Sequence, residues 1–116
     1  MPARLRSLDP EALQRALERR DPADVRALVK HFLAVLGQRV PGRSVEVRVP
    51  PYAAVQVVEG VRHTRGTPPA VVETDAETWL SLATGELAWH DAVHAGRVTV
   101  SGERTDLSAH LPLTKD

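Results

Sequence analysis

SVEVRVPPYAAVQVVE, residues 44–59, is where the chain passes from one hydrophobic period to another. Val45, Val47 and Val49 alternate with Glu46 and Arg48, the period of two of a strand with one buried and one wet face. Pro50-Pro51 cannot donate to a hydrogen-bond ladder and marks a turn or an edge. Ala53–Glu59 is predicted as a second strand that stops at Gly60. The gap between the two runs is short, so they are expected to pair as an antiparallel hairpin.

Upstream the period is 3.6. Asp9-Pro10 and Asp21-Pro22 each set a capping carboxylate before a proline suited to the first helical position. The first predicted helix, Pro10–Arg20, carries Leu13 and Leu17 on one face. In the second, Val25, Leu28, Val29, Phe32, Leu33 and Leu36 form a continuous apolar stripe, and Gly37 followed by Pro41-Gly42 is expected to end it. Downstream, residues 61–69 (VRHTRGTPP) read as a polar loop and Ala70–Thr74 as a third strand. Thr74 or Asp75 then caps a helix, with Glu77 placed as in a capping box, and that helix ends at Gly85. A short helix over Trp89–Ala95 ends at Gly96. Arg97–Ser101 is a fourth strand with Val98 and Val100 on one face, and Thr105–His110 a last helical turn before Pro112. Residues 1–8 and 113–116 are expected to fray. The order α-α-β-β-β-α-α-β-α clusters the strands, which indicates an α+β domain with helices against a largely antiparallel sheet.

With 116 residues there is room for one domain, 1–116, led by the helices of residues 10–37. Fifteen basic and fifteen acidic side chains give a net charge of zero, which argues against a nucleic-acid partner. Cysteine is absent, removing disulfides, thiolate metal sites and cysteine nucleophiles. No apolar run reaches the roughly 20 residues of a membrane span, and the basic start develops no apolar leader segment. A cytoplasmic location is therefore expected. Only four residues are aromatic, namely Phe32, Tyr52, Trp79 and Trp89, so the core must be mostly aliphatic.

Few residues suggest chemistry. His90-Asp91-Ala92-Val93-His94 puts two histidines at i, i+4, as in zinc proteases. Its Asp is shorter than the Glu that serves as base in such sites, and no third ligand follows, so solvated surface histidines are the plainer reading and no metal is expected. His63 and Arg65 lie in a loop whose arginines, threonines and glycine could hold a carboxylate or phosphate, although a solvated loop stiffened by prolines is favoured. Phosphate-loop, dinucleotide-binding and nucleophile-elbow patterns are all missing, so no catalytic residue is proposed and no cofactor is expected. More informative is the apolar set Trp79, Leu80, Leu82, Leu87, Trp89 and Val93, in two short helices broken at Gly85. Such a pair over a valine-rich sheet can close a dry core or roof a cavity; as structure alone, core is the better reading.

Pro41 to Leu113 resembles the sterol carrier family, a superfamily of small lipid-binding proteins. The resemblance lies in Thr78–Gly102, TWLSLATGELAWHDAVHAGRVTVSG. There Gly85-Glu86-Leu87 closes a helix, Ala92 to Gly96 forms and ends a short one, and Val98 to Gly102 is a strand finishing in Ser-Gly. GRSVEVRVPPYAAVQ and RHTRGTPPAVVETD resemble a bacterial stand-alone branch. This resemblance implies helices on one face of a twisted antiparallel sheet, with an apolar tunnel between them and no catalysis. Four strands are legible and the family sheet usually has five, so four to five are expected. The implied function is non-catalytic binding or carriage of an apolar or amphipathic, lipid-like molecule. Trp79, Leu82, Leu87 and Trp89 would line the cavity, with Arg48, His63 and Arg65 at a polar rim. Two alternatives stand beside it: an accessory domain to a separate metal- or thiol-dependent isomerase-type enzyme, and a structural or interaction module with a closed pocket and a protein partner.

Overall fold

The computed structural model describes residues 5–60 and 70–114. Two N-terminal helices, α1 (Pro10–Arg19) and α2 (Pro22–Arg39), start at the two Asp-Pro signals. Asp9 accepts from the Ala12 N–H at 2.9 Å. Asp21 and Asp24 form a reciprocal capping box at the head of α2. Arg19 locks the joint between the helices, donating from Nε and Nη2 to the two carboxylate oxygens of the buried Asp24 at 2.9 and 2.7 Å.

Gly37 does not end α2, which continues two residues further to Arg39. A Cβ at Gly37 would lie 3.0 Å from Val55 Cγ2, so the glycine lets the helix lie close against the sheet instead of breaking.

The sheet holds β1 (Val45–Val49), β2 (Ala53–Val57), β3 (Ala70–Thr74) and β4 (Val98–Ser101) in the order β2-β1-β3-β4. The expected β1–β2 hairpin is present, and β3 pairs antiparallel with β4. Between them β1 and β3 run parallel, one parallel pair in a mostly antiparallel sheet. Register places Val45, Val47 and Val49 beside Val57, Val55 and Ala53 on one side and beside Ala70 and Val72 on the other. Together they form one apolar face toward the helices. Glu46, Arg48, Gln56, Glu73, Thr99 and Ser101 belong to the opposite face. Strand β2 is shorter than the predicted run to Glu59. Val58 turns out with φ of 67°, its N–H bonded to Val40 O and its carbonyl accepting from Ser44 N–H and Oγ.

Helix α3 (Ala76–Thr84) is capped by Asp75, which accepts from the Thr78 N–H at 2.8 Å. The Thr74–Glu77 box is not formed, because Thr74 is the last residue of β3 and its hydroxyl donates to Arg97 O. Helix α4 (Trp89–His94) follows, and the last helical turn shrinks to a 3-10 turn over Ser108–His110. Leu28, Leu33, Leu36, Phe32, the inward valines, Trp79, Leu82 and Leu107 form the fully buried core.

The shared face of the last strand follows expectation, and one correction concerns the chain ends. Val98 and Val100 share a face, but only Val98 is buried; Val100 is 38% exposed. The chain ends are also tied down where described. Leu113 is buried and its N–H donates to Ala83 O at 2.8 Å, and the Leu8 N–H donates to His31 Nδ1 at 2.8 Å. Each contact removes apolar surface or a polar group from water, which fraying would forfeit.

Candidate functional site

Spacing alone brings Trp79, Leu80, Leu82 and Ala83 onto the inward side of α3, and all four are buried. Trp79 reaches across to α2, where its indole N–H points to Val29 O at 3.4 Å. Trp89 and Ala92 are the buried residues of α4, with Leu87 half-buried in the link between the helices. The four expected cavity residues therefore meet in one cluster with Phe32, the α2 leucines and the inward valines. Trp79 and Leu82 are each 1% exposed, so in this conformation they sit in packed core.

The short α4 is held differently from its neighbours. Its cap, Ala88, offers no side-chain acceptor, and the helix is flanked by Gly85 and Gly96 at φ of 84° and 73°. Those backbone angles suit glycine and define where α4 turns away from α3 and toward β4.

Of the residues expected at a polar rim, Arg48 lies on the outer face of β1, away from the tryptophan cluster. It is bonded to Glu46, and Glu73 on the neighbouring strand adds a second negative field. His63 and Arg65 lie outside the described residues. His90 and His94 are exposed on α4, and no group of three or more metal-ligating side chains occurs among the described residues. His90 and His110 both bear on Asp106, whose carboxyl is held below the usual range first by the Ser108 side chain and N–H and then by these histidines.

A polar pocket of about 290 Å3 lies elsewhere, at the end of the sheet where β1 and β3 finish and β4 begins. Pro50, Glu73, Thr74, Asp75, Arg97 and Thr99 line it. Burial alone would raise the Asp75 carboxyl, but the Thr78 N–H and O–H, its own backbone N–H and the nearby Arg97 charge hold it below its ordinary value. Sequence reading found Asp75 only as a cap. It missed Arg97 and Glu73, since no linear motif connects two residues that meet only through strand pairing. A second, more apolar groove is lined by Pro10, Glu11, Gln14 and Arg15 of α1. Neither pocket is lined by Trp79, Leu82, Leu87 or Trp89. Among the described residues, no helix is long and apolar enough to cross a membrane.

Residues 20–113 match a family described as bacterial SCP ortholog. The matched span includes both tryptophans and the four strands among the described residues. No curated protein matches the chain. Among solved structures it is similar to the crystal structure of sterol carrier protein 2 like 2 from Aedes aegypti. The two share 19% identity over 87% of this chain and 94% of that chain, with a TM-score of 0.35.

Proposed function

The chain belongs to the family of bacterial SCP orthologs, and from that premise we propose that it binds or carries an apolar or amphipathic, lipid-like molecule without catalysing a reaction. The observation that carries this reading is the family match over residues 20–113, which takes in the whole valine face and the helices packed on it. Removal of apolar ligand surface from water would supply the driving force, at about 25 cal/mol per Å2.

Because Trp79 and Leu82 are sealed in the core, such a ligand needs an opening. Helix α4 supports that role. It is six residues long, lacks a side-chain cap and turns on a left-handed glycine at each side. Movement of α4 would withdraw Trp89 and admit an acyl or isoprenoid chain between the helices and the valine face. The polar-rim role expected of Arg48 finds no support, because that side chain lies on the opposite face of the sheet.

The test uses protein stripped of bound lipid and two single-tryptophan variants, Trp79→Phe and Trp89→Phe. Titration with fatty acids of increasing length is expected to shift the emission of the variant that keeps Trp89, and native mass spectrometry is expected to find one ligand per chain. Unchanged spectra and masses across the panel would overturn the reading. That result would favour the second one, an interaction module with a closed pocket, for which the 1% exposure of Trp79 and Leu82 already speaks.

A further inference from the structure

The polar pocket at the end of the sheet is built by strand parity. Glu73 and Thr99 are register partners, so their side chains stand together on the outer face. Asp75 and Arg97, two residues from each, continue the same face, while Thr74 and Val98 between them turn to the core. Pro50, from the β1–β2 turn, closes one side.

Arg97 is held in place from two directions. Its Nε donates to Oγ1 of the fully buried Thr78 at 3.2 Å, and its carbonyl accepts from Thr74 Oγ1 at 2.8 Å. Thr78 is in turn fixed by Asp75, whose Oδ1 accepts the Thr78 N–H and Oδ2 the Thr78 hydroxyl, at 2.8 and 2.9 Å. Both Asp75 oxygens are thus engaged in supporting the arginine. The two terminal guanidinium nitrogens of Arg97, the Glu73 carboxylate and the Thr99 hydroxyl make no hydrogen bond among the described residues. Although they share a pocket, Arg97 and Glu73 form no ion pair within the described residues, and Thr78 holds the guanidinium by its Nε.

A cation held by its Nε and a carboxylate that makes no hydrogen bond, with the Arg48 charge beside it on the neighbouring strand, discriminate by charge. A simple anion would meet Arg97 but be repelled by Glu73 and Asp75. A simple cation would meet the carboxylates but be repelled by Arg97. A small zwitterion satisfies both, its oxyanion on the terminal nitrogens of Arg97 and the Thr99 hydroxyl, and its ammonium on Glu73. We propose that this pocket binds a primary-amine phosphate zwitterion, through Arg97, Thr99 and Glu73. The chemistry is shared by free O-phosphoethanolamine and by an ethanolamine phospholipid headgroup. The site is separate from the tryptophan cluster and does not depend on an apolar chain entering there.

The test follows backbone amide NMR shifts of the full chain during titration with O-phosphoethanolamine, inorganic phosphate and ethanolamine. Saturable shifts confined to residues 73–75 and 97–99 are expected with the zwitterion, and at least about tenfold weaker binding with either half, the weight of one charge-assisted hydrogen bond. Glu73→Gln replaces an exposed side chain without touching the Thr78 support, so it is expected to keep the fold and weaken the zwitterion by about tenfold. Arg97→Gln should weaken both the zwitterion and phosphate. Pelleting with vesicles of phosphatidylcholine alone, or with added phosphatidylethanolamine, separates the sources: selective pelleting points to the headgroup, and none to the free molecule. Phosphate binding as tightly as the zwitterion, unchanged affinity in a folded Glu73→Gln variant, or shifts away from the pocket would overturn the proposal.

Discussion

His31 lies in the middle of α2, buried, with its ring edge-on to Phe32 at a centroid distance of 4.8 Å. Its Nδ1 accepts the Leu8 N–H, so the ring must carry no proton there. Burial holds its pKa below the ordinary 6.5, and no charged group is among the causes. In the unfolded chain the ring takes up a proton near 6.5; in the folded protein it does so only at lower pH. Between the two values the unfolded state binds more protons, so stability is full above about pH 6.5 and falls as pH drops through that window. Asp24, Asp75 and Asp106 are shifted down, and their contributions are lost only below the ordinary carboxylate value of 3.8. Urea denaturation between pH 7 and 5 is therefore expected to show declining stability in the native chain. His31→Gln, which keeps an acceptor but cannot titrate, should flatten that decline; an unchanged slope would assign it to other groups.

At the scale of elements, caps and close approaches decide where helices start and how near they lie to the sheet. Asp75→Ala removes the α3 cap and is expected to cost about 0.5–2 kcal/mol, read as a lower urea midpoint with an unchanged slope. Gly37 makes the opposite case. Replacing an interior helical glycine with a better helix former gains up to about 1 kcal/mol from propensity. Here the new Cβ would press on Val55 at 3.0 Å. Gly37→Leu is therefore expected to destabilise by about 1–3 kcal/mol, the range of an overpacked interface, and circular-dichroism melts would reveal the sign. Helix boundaries were legible because Asp-Pro starts, Gly85 and Gly96 act through bonds within a few residues. The α2 terminus was not, because the residue that justifies Gly37 is Val55, on a strand that approaches only after folding.

Across the whole molecule, the core depends on contacts distant in sequence. Leu113 is tied to Ala83, and Trp79 to Val29. Leu113→Ala is expected to cost about 2–5 kcal/mol, the range of a buried leucine truncation, against about 5–15 kcal/mol of total stability for a domain. A variant with a melting temperature near that of the native chain would show that the tail contributes little. The local periods of two and 3.6 and the capping residues determined the strand runs, the helix starts and one apolar face among the described residues, since those signals depend on near neighbours in the chain. Tertiary structure placed Trp79 and Leu82 in the packed core that the residue pattern favoured, and it alone decided two further matters: the parallel β1–β3 pair and the convergence of Glu73 and Arg97 on one pocket. Each depends on which strand edge meets which, a choice made by burying apolar area over the entire fold. No short window of sequence contains that choice.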